Sequence, residues 1–100
     1  MDSMKILSTI QREIKVRGNV QVPDHKKFGY VRETPSAIVV SREDGLDTPV
    51  YLTDILTGIE AAKSDSNVYD GGPDTLREHG ITHVNSPVWA LLHLVPKEDY

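Results

Sequence analysis

The run Ala37-Ile38-Val39-Val40 constrains this chain more than any other four residues. Three of the four are β-branched, and such side chains fit a pleated strand better than a helix. No polar residue alternates with them, so the segment is expected to be central in a sheet or covered on both faces. Ser41-Arg42-Glu43-Asp44-Gly45 closes it, and Asp44-Gly45 is hairpin-turn chemistry. An internal strand needs neighbours. Val20 and Val22 alternate with Asn19 and Gln21, which predicts a short half-buried strand, followed by a turn at Pro23-Asp24-His25. Phe28 to Glu33 predicts a second strand, interrupted at Thr34-Pro35-Ser36. Ile81-Thr82-His83-Val84 is a further short strand candidate.

Helical periodicity flanks this block. Met4, Leu7, Ile10 and Ile14 fall at steps of three and four, predicting a helix over 3–17 with Ser3 as N-cap and Gly18 at its end. Lys15 and Arg17 lie in its last turn, where the helix dipole favours cations. Leu52, Ile55, Leu56, Ile59 and Ala62 predict a second helix over 49–64, starting at Thr48-Pro49 or at Thr53-Asp54. Gly58 inside it costs about 1 kcal/mol against alanine and would let another element approach closely. Residues 64–72 read as loop, and Pro73 to His79 as a short helix stopped by Gly80. After Ser86-Pro87, residues 88–95 are either a last helix with Val88, Leu91, Leu92 and Val95 on one face, or a buried strand.

The expected architecture is therefore α+β: an N-terminal helix, a small antiparallel sheet of three or four strands, and two to three further helices around one core. At 100 residues the chain suits one domain, residues 1–100, with no repeat and no linker to divide it. Aromatic residues are only 6%, so the core is expected to be aliphatic. The absence of cysteine removes disulfides, thiol catalysis and cysteine-based metal sites, and favours an intracellular, cytoplasmic setting. No apolar run approaches the roughly 20 residues of a membrane span, and the charged N-terminal stretch does not read as a signal peptide, so no membrane partner is expected.

Charge is unevenly spread. Residues 1–42 hold eight basic residues against four acids, a balance of +4. Residues 43–100 hold three against eleven, a balance of −8, which leaves the whole chain at −4. If folding keeps the basic part together, Lys5, Arg12, Lys15, Arg17, Lys26 and Lys27 form a nucleic-acid contact surface, with Phe28 and Tyr30 near for stacking. If folding interleaves the two parts, the charges neutralise one another.

Catalytic signals are thin. His79 and His83 are four apart, a metal-ligand spacing on a helix, and Asp70 and Asp74 could complete a site for a small metal-dependent hydrolase. Gly80 between them argues that the helix has already ended. His93 reads as a hydrogen-bonded histidine in an apolar segment. Asp70-Gly71-Gly72-Pro73-Asp74 allows close backbone approach, but its aspartates repel phosphate and it reads equally as a solvated turn. No nucleophile elbow occurs. No cofactor, metal or catalytic residue is assigned. Tyr51, Tyr69 and Trp89 are aromatic candidates for a protein interface.

The sequence thus supports a small non-enzymatic regulatory protein, an adaptor or inhibitor, with another protein or a second copy as partner. An acidic protein of this kind can occupy a basic, nucleic-acid-handling site. Accessory proteins of mobile genetic elements, including inhibitors of host defence, are one setting for such a chain. A nucleic-acid-binding regulator is the alternative.

Overall fold

The structure, a computed structural model, describes residues 1–100. Its elements follow the order α1 (Ser3–Arg17), β1 (Asn19–Gln21), β2 (Lys27–Glu33), β3 (Ala37–Ser41), β4 (Asp47–Tyr51), α2 (Leu52–Ser64), α3 (Ser66–Asp70), a 3-10 helix (Pro73–His79), α4 (Asn85–Leu92) and a last 3-10 turn (Lys97–Asp99). The four strands form an antiparallel meander in the order β1-β2-β3-β4. The α+β architecture is the expected one.

Helix α1 forms for the anticipated reason and buries Leu7, Ile10 and Ile14 as expected, with Ile6 taking the place of Met4. Ile6, Leu7, Ile10 and Ile14 are buried, while Met4 is 57% exposed. The stripe centred on Ile6 and Ile10 is as apolar as the one through Met4, and its branched side chains fill the space against the sheet. The N-cap is Asp2, not Ser3: its carboxylate accepts from the Met4 amide at 3.2 Å. The Ser3 hydroxyl instead bonds Glu60, and Lys63 Nζ donates to it, tying α1 to α2. Gly18 ends the helix at φ 78, donating to Ile14 O.

Strand β4 replaces the predicted start of the second helix. Val50 pairs with Ile38 and is fully buried, so 47–51 complete the hairpin across Asp44-Gly45 before α2 begins at Leu52. Neither Thr48 nor Thr53 caps α2; Tyr51 holds that position with no side-chain cap bond. Leu52 N donates to Ser36 O, which by antiparallel alternation makes Ile38–Val50 and Val40–Thr48 the hydrogen-bonded pairs. Pro49 then sits where an N–H would face the outer edge, so its missing donor is no loss and the edge is closed to further strands.

Two more expectations are corrected. Residues 66–70 form the short helix α3, because Asp65 accepts from the Asn67 amide and caps it. Residues 81–84 are not a strand: Ile81 is buried among helices, and no neighbouring strand is free to pair with it. The segment 88–95 resolves as helix over its first part, since α4 spans Asn85–Leu92.

One aliphatic core joins Ile6, Ile10 and Ile14 of α1, Ile38, Val40 and Val50 of the sheet, Ile55 and Ile59 of α2, and Val88, Leu91 and Leu92 of α4. Each such side chain contributes about 1.5–3 kcal/mol on burial. Gly58 does allow close approach: a Cβ there would lie 2.7 Å from Val88 Cγ1. Ala37 and Val39 are also buried, yet they stand outside this core. They lie on the opposite face of β3. All the helices therefore cover one side of the sheet and leave the other open.

Candidate functional site

The first candidate surface is the open sheet face. Strand pairing places directly opposite residues on the same face. Val39 faces Arg32 on β2 and Pro49 on β4, and Ala37 faces Tyr51. A register shift between Tyr30 and Arg32 inserts Val31 as an extra residue, so Val31 and Arg32 both belong to this face. Val39 is only 4% exposed because its neighbours across the strands cover it. Tyr51 is 49% exposed, and Val31 and Pro49 are exposed too. Arg32 lies within this stripe, and Lys27 on β2 and Asp47 on β4 carry further charge on the same face.

The second is the outward face of α1. Lys5, Arg12 and Lys15 share it with exposed Met4 and Val16. Lys5 and Lys15 have no acidic partner within ion-pair distance. Glu13 receives Arg17 at 2.9 Å and Arg12 at 3.8 Å, so Arg17 is turned aside and its charge offset. Lys26 and Lys27 belong to the β1–β2 hairpin, not to α1. Glu43 accepts from the Lys27 amide at 3.1 Å, and Lys26 lies in a depression with Glu43 and Asp44. The six candidate cations thus separate into a helical group and a hairpin group interleaved with acids.

The third is a cleft of about 430 Å3 between the β1–β2 turn, the β3–β4 turn and the first turns of α4. Pro23 and Asp24 occupy the centre of a turn closed by His25 N donating to Val22 O at 2.9 Å. Asp24 has φ 68, the only non-glycine residue with positive φ. Asp24, His25, Lys26 and Glu43 line it from the two turns and Ser86 from α4, together with the buried Phe28 and Trp89. The sequence offered Lys26 and Trp89 of this group as candidates, with Phe28 near for stacking, but not Asp24, His25, Glu43 or Ser86. A turn signal at 23–25 was legible, but no spacing links Asp24 to Ser86, sixty-two positions away.

Trp89 is 3% exposed and anchored by its indole N–H donating to Val68 O at 2.9 Å. It is a core residue whose remaining edge meets the cleft. His25 lies against one side of it, ring centroids 4.7 Å apart, and His93 against the other at 4.3 Å. Tyr69 continues the stack 3.9 Å from His93, and Tyr100 lies 5.7 Å beyond. His93 Nδ1 donates to Trp89 O at 2.8 Å, and Tyr69 donates to Val95 O at 2.9 Å. Tyr69 is thus half-buried in this stack, and Tyr51 alone of the three aromatic candidates stands on an open surface.

His79 ends the 3-10 helix beside Leu56 and Glu60 of α2, and His83 lies beyond Gly80, whose φ of 91 turns the chain. No three His, Asp or Glu side chains come together to hold a metal ion. Asp70 pairs with Lys97, and Asp74 pairs with Arg77 at 3.0 Å. Asn85, the one buried polar residue, donates to Pro73 O and to Asp74. The glycine-aspartate loop is thereby tied into the fold. No helix is long and apolar enough to cross a membrane. Comparison with known protein families, with curated proteins and with solved structures finds no match.

Proposed function

We propose that this chain is a small non-enzymatic interaction protein, an adaptor or inhibitor, that binds another protein through the open face of its sheet. The observation that carries the reading is the one-sided architecture. Helices cover one face of the sheet, and the other exposes Val31, Pro49 and Tyr51 around the closely packed Ala37 and Val39, with Lys27, Arg32 and Asp47 as its charges. Aromatic anchors beside aliphatic surface are the residues from which interfaces draw most of their affinity. The closed edge at Pro49 directs a partner onto the face rather than alongside it as an added strand. The acidic balance of the chain suits a basic partner surface, where opposite charge speeds encounter.

Tyr51→Asp tests this. The side chain is half exposed and outside the core, so thermal unfolding should move little. Affinity capture from the native host, with cross-linking, should retain a discrete partner on the wild-type chain and lose it on the variant by about tenfold or more. Sedimentation of the purified chain reads the case in which the partner is a second copy. Equal capture by both chains, or no partner and no self-association, rejects the reading.

A further inference from the structure

The cleft beside α4 has features that the sheet face does not supply. It gathers polar side chains that the fold leaves unused. The side chains of Asp24, His25 and Ser86 make no hydrogen bond or ion pair within the chain, the His25 carbonyl alone accepting from Gln21, and Lys26 has no acidic partner within ion-pair distance. A surface cleft of about 430 Å3 lies within the size range of ligand sites. Its lining includes the aromatic Phe28 and Trp89, and the His25 ring lies against the indole. Its lining carries two carboxylates, Asp24 and Glu43, against the single ammonium of Lys26.

We infer that this cleft receives an arginine side chain presented by a partner protein. A guanidinium is flat, stays charged, stacks on aromatic rings and bonds carboxylates through two donors at once. The cleft offers the complement of each property. The exposed His25 ring supplies stacking surface above the edge of Trp89, Asp24 supplies a free carboxylate, and Glu43 keeps one oxygen clear of the Lys27 amide. Ser86 adds a neutral acceptor from α4. The chain's own Arg42 lies over Phe28, its guanidinium carbon 6.0 Å from the ring centroid, which leaves the His25 side of the cleft for the incoming group. An anionic group in the same place would meet Asp24 and Glu43. The inference rests on the reading that this protein binds protein, and it names the chemistry of that partner.

Asp24 separates binding from folding. At φ 68 and following Pro23, it occupies the turn position that glycine fills without strain. Asp24→Gly should therefore fold at least as stably as wild type while losing the carboxylate. Trp89 is the sole tryptophan, so its fluorescence reports on the cleft directly. The probe is the capped tripeptide acetyl-Gly-Arg-Gly-amide, titrated against the purified chain. Its citrulline and glutamate counterparts serve as neutral and anionic controls.

A saturable fluorescence change in the millimolar range is expected with the arginine peptide. Citrulline should weaken it by about tenfold, as should Asp24→Gly or Glu43→Gln, with the thermal midpoint of Asp24→Gly unchanged or raised. Absence of saturation, equal response to citrulline, preference for the glutamate peptide, or indifference to both substitutions overturns the inference. This titration uses the isolated chain, so its failure leaves the sheet-face reading standing. Conversely, failure of partner capture leaves a positive titration intact.

Discussion

Tyr100 and Tyr69 show how single side chains near the C-terminus are committed to the fold. Tyr100 donates its hydroxyl to Leu92 O at 2.6 Å, and Tyr69 donates to Val95 O. Burial, then the neighbouring Tyr69 and Asp99, pushes the Tyr100 phenol well above its ordinary value near 10. Tyr69 is raised as well, by burial first and then by Glu98 and Asp70. A phenol held protonated in the folded state and ionising near 10 when unfolded stabilises the fold fully below that pH. The contribution is lost as pH rises further. The denaturant midpoint should thus stay flat between about pH 7 and 9 and fall above about pH 10. Tyr100→Phe should lower stability at pH 7 by about 1 kcal/mol for the lost hydrogen bond, but flatten the alkaline decline. An identical decline in the variant would contradict this assignment. At this scale the sequence was readable where chemistry is local, as in the Gly18 stop. It was not readable where two stripes of one helix were equally apolar: Ile6 won over Met4 through packing alone.

At the scale of elements, the junction of β4 and α2 is the instructive case. Leu52 to Ala62 carried the helical period, and the helix is there. Its first expected turn became strand, because Thr48 and Val50 pair with β3, an interaction no window on residues 49–64 contains. Gly58 marks where α4 crosses α2. Glycine within a helix usually costs about 1 kcal/mol against alanine. Here Gly58→Ala should instead destabilise by about 1–3 kcal/mol, because the new methyl meets the stiff, buried Val88 side chain 2.7 Å away. Adding Val88→Ala should recover part of the loss, a coupling that chemical denaturation of the two single variants and the double variant measures. Strict additivity would place the clash elsewhere.

Across the whole molecule, the +4 and −8 portions of the chain are not two faces. The hairpin cations sit among Asp24, Glu43 and Asp44, while the outward face of α1 keeps Lys5, Arg12 and Lys15. That helical group favours nucleic acid as a second reading, and its size limits the expected behaviour. Three phosphate contacts would give a slope of log affinity against log salt no steeper than about −3 on duplex DNA. Changing all three to glutamate should abolish the binding. A steeper slope, or binding that survives those changes, would locate nucleic-acid contacts elsewhere. The sequence alone determined the α+β class, the central strand at Ala37–Val40, the Asp44-Gly45 hairpin and the helical periods. These depend on side-chain shape and spacing within a few residues of one another. Tertiary structure alone decided which face of the sheet stays open, which cations share a surface, and that Asp24, Glu43 and Ser86 line one cleft. Those relations join residues far apart in the chain, and only packing against a common core brings them together.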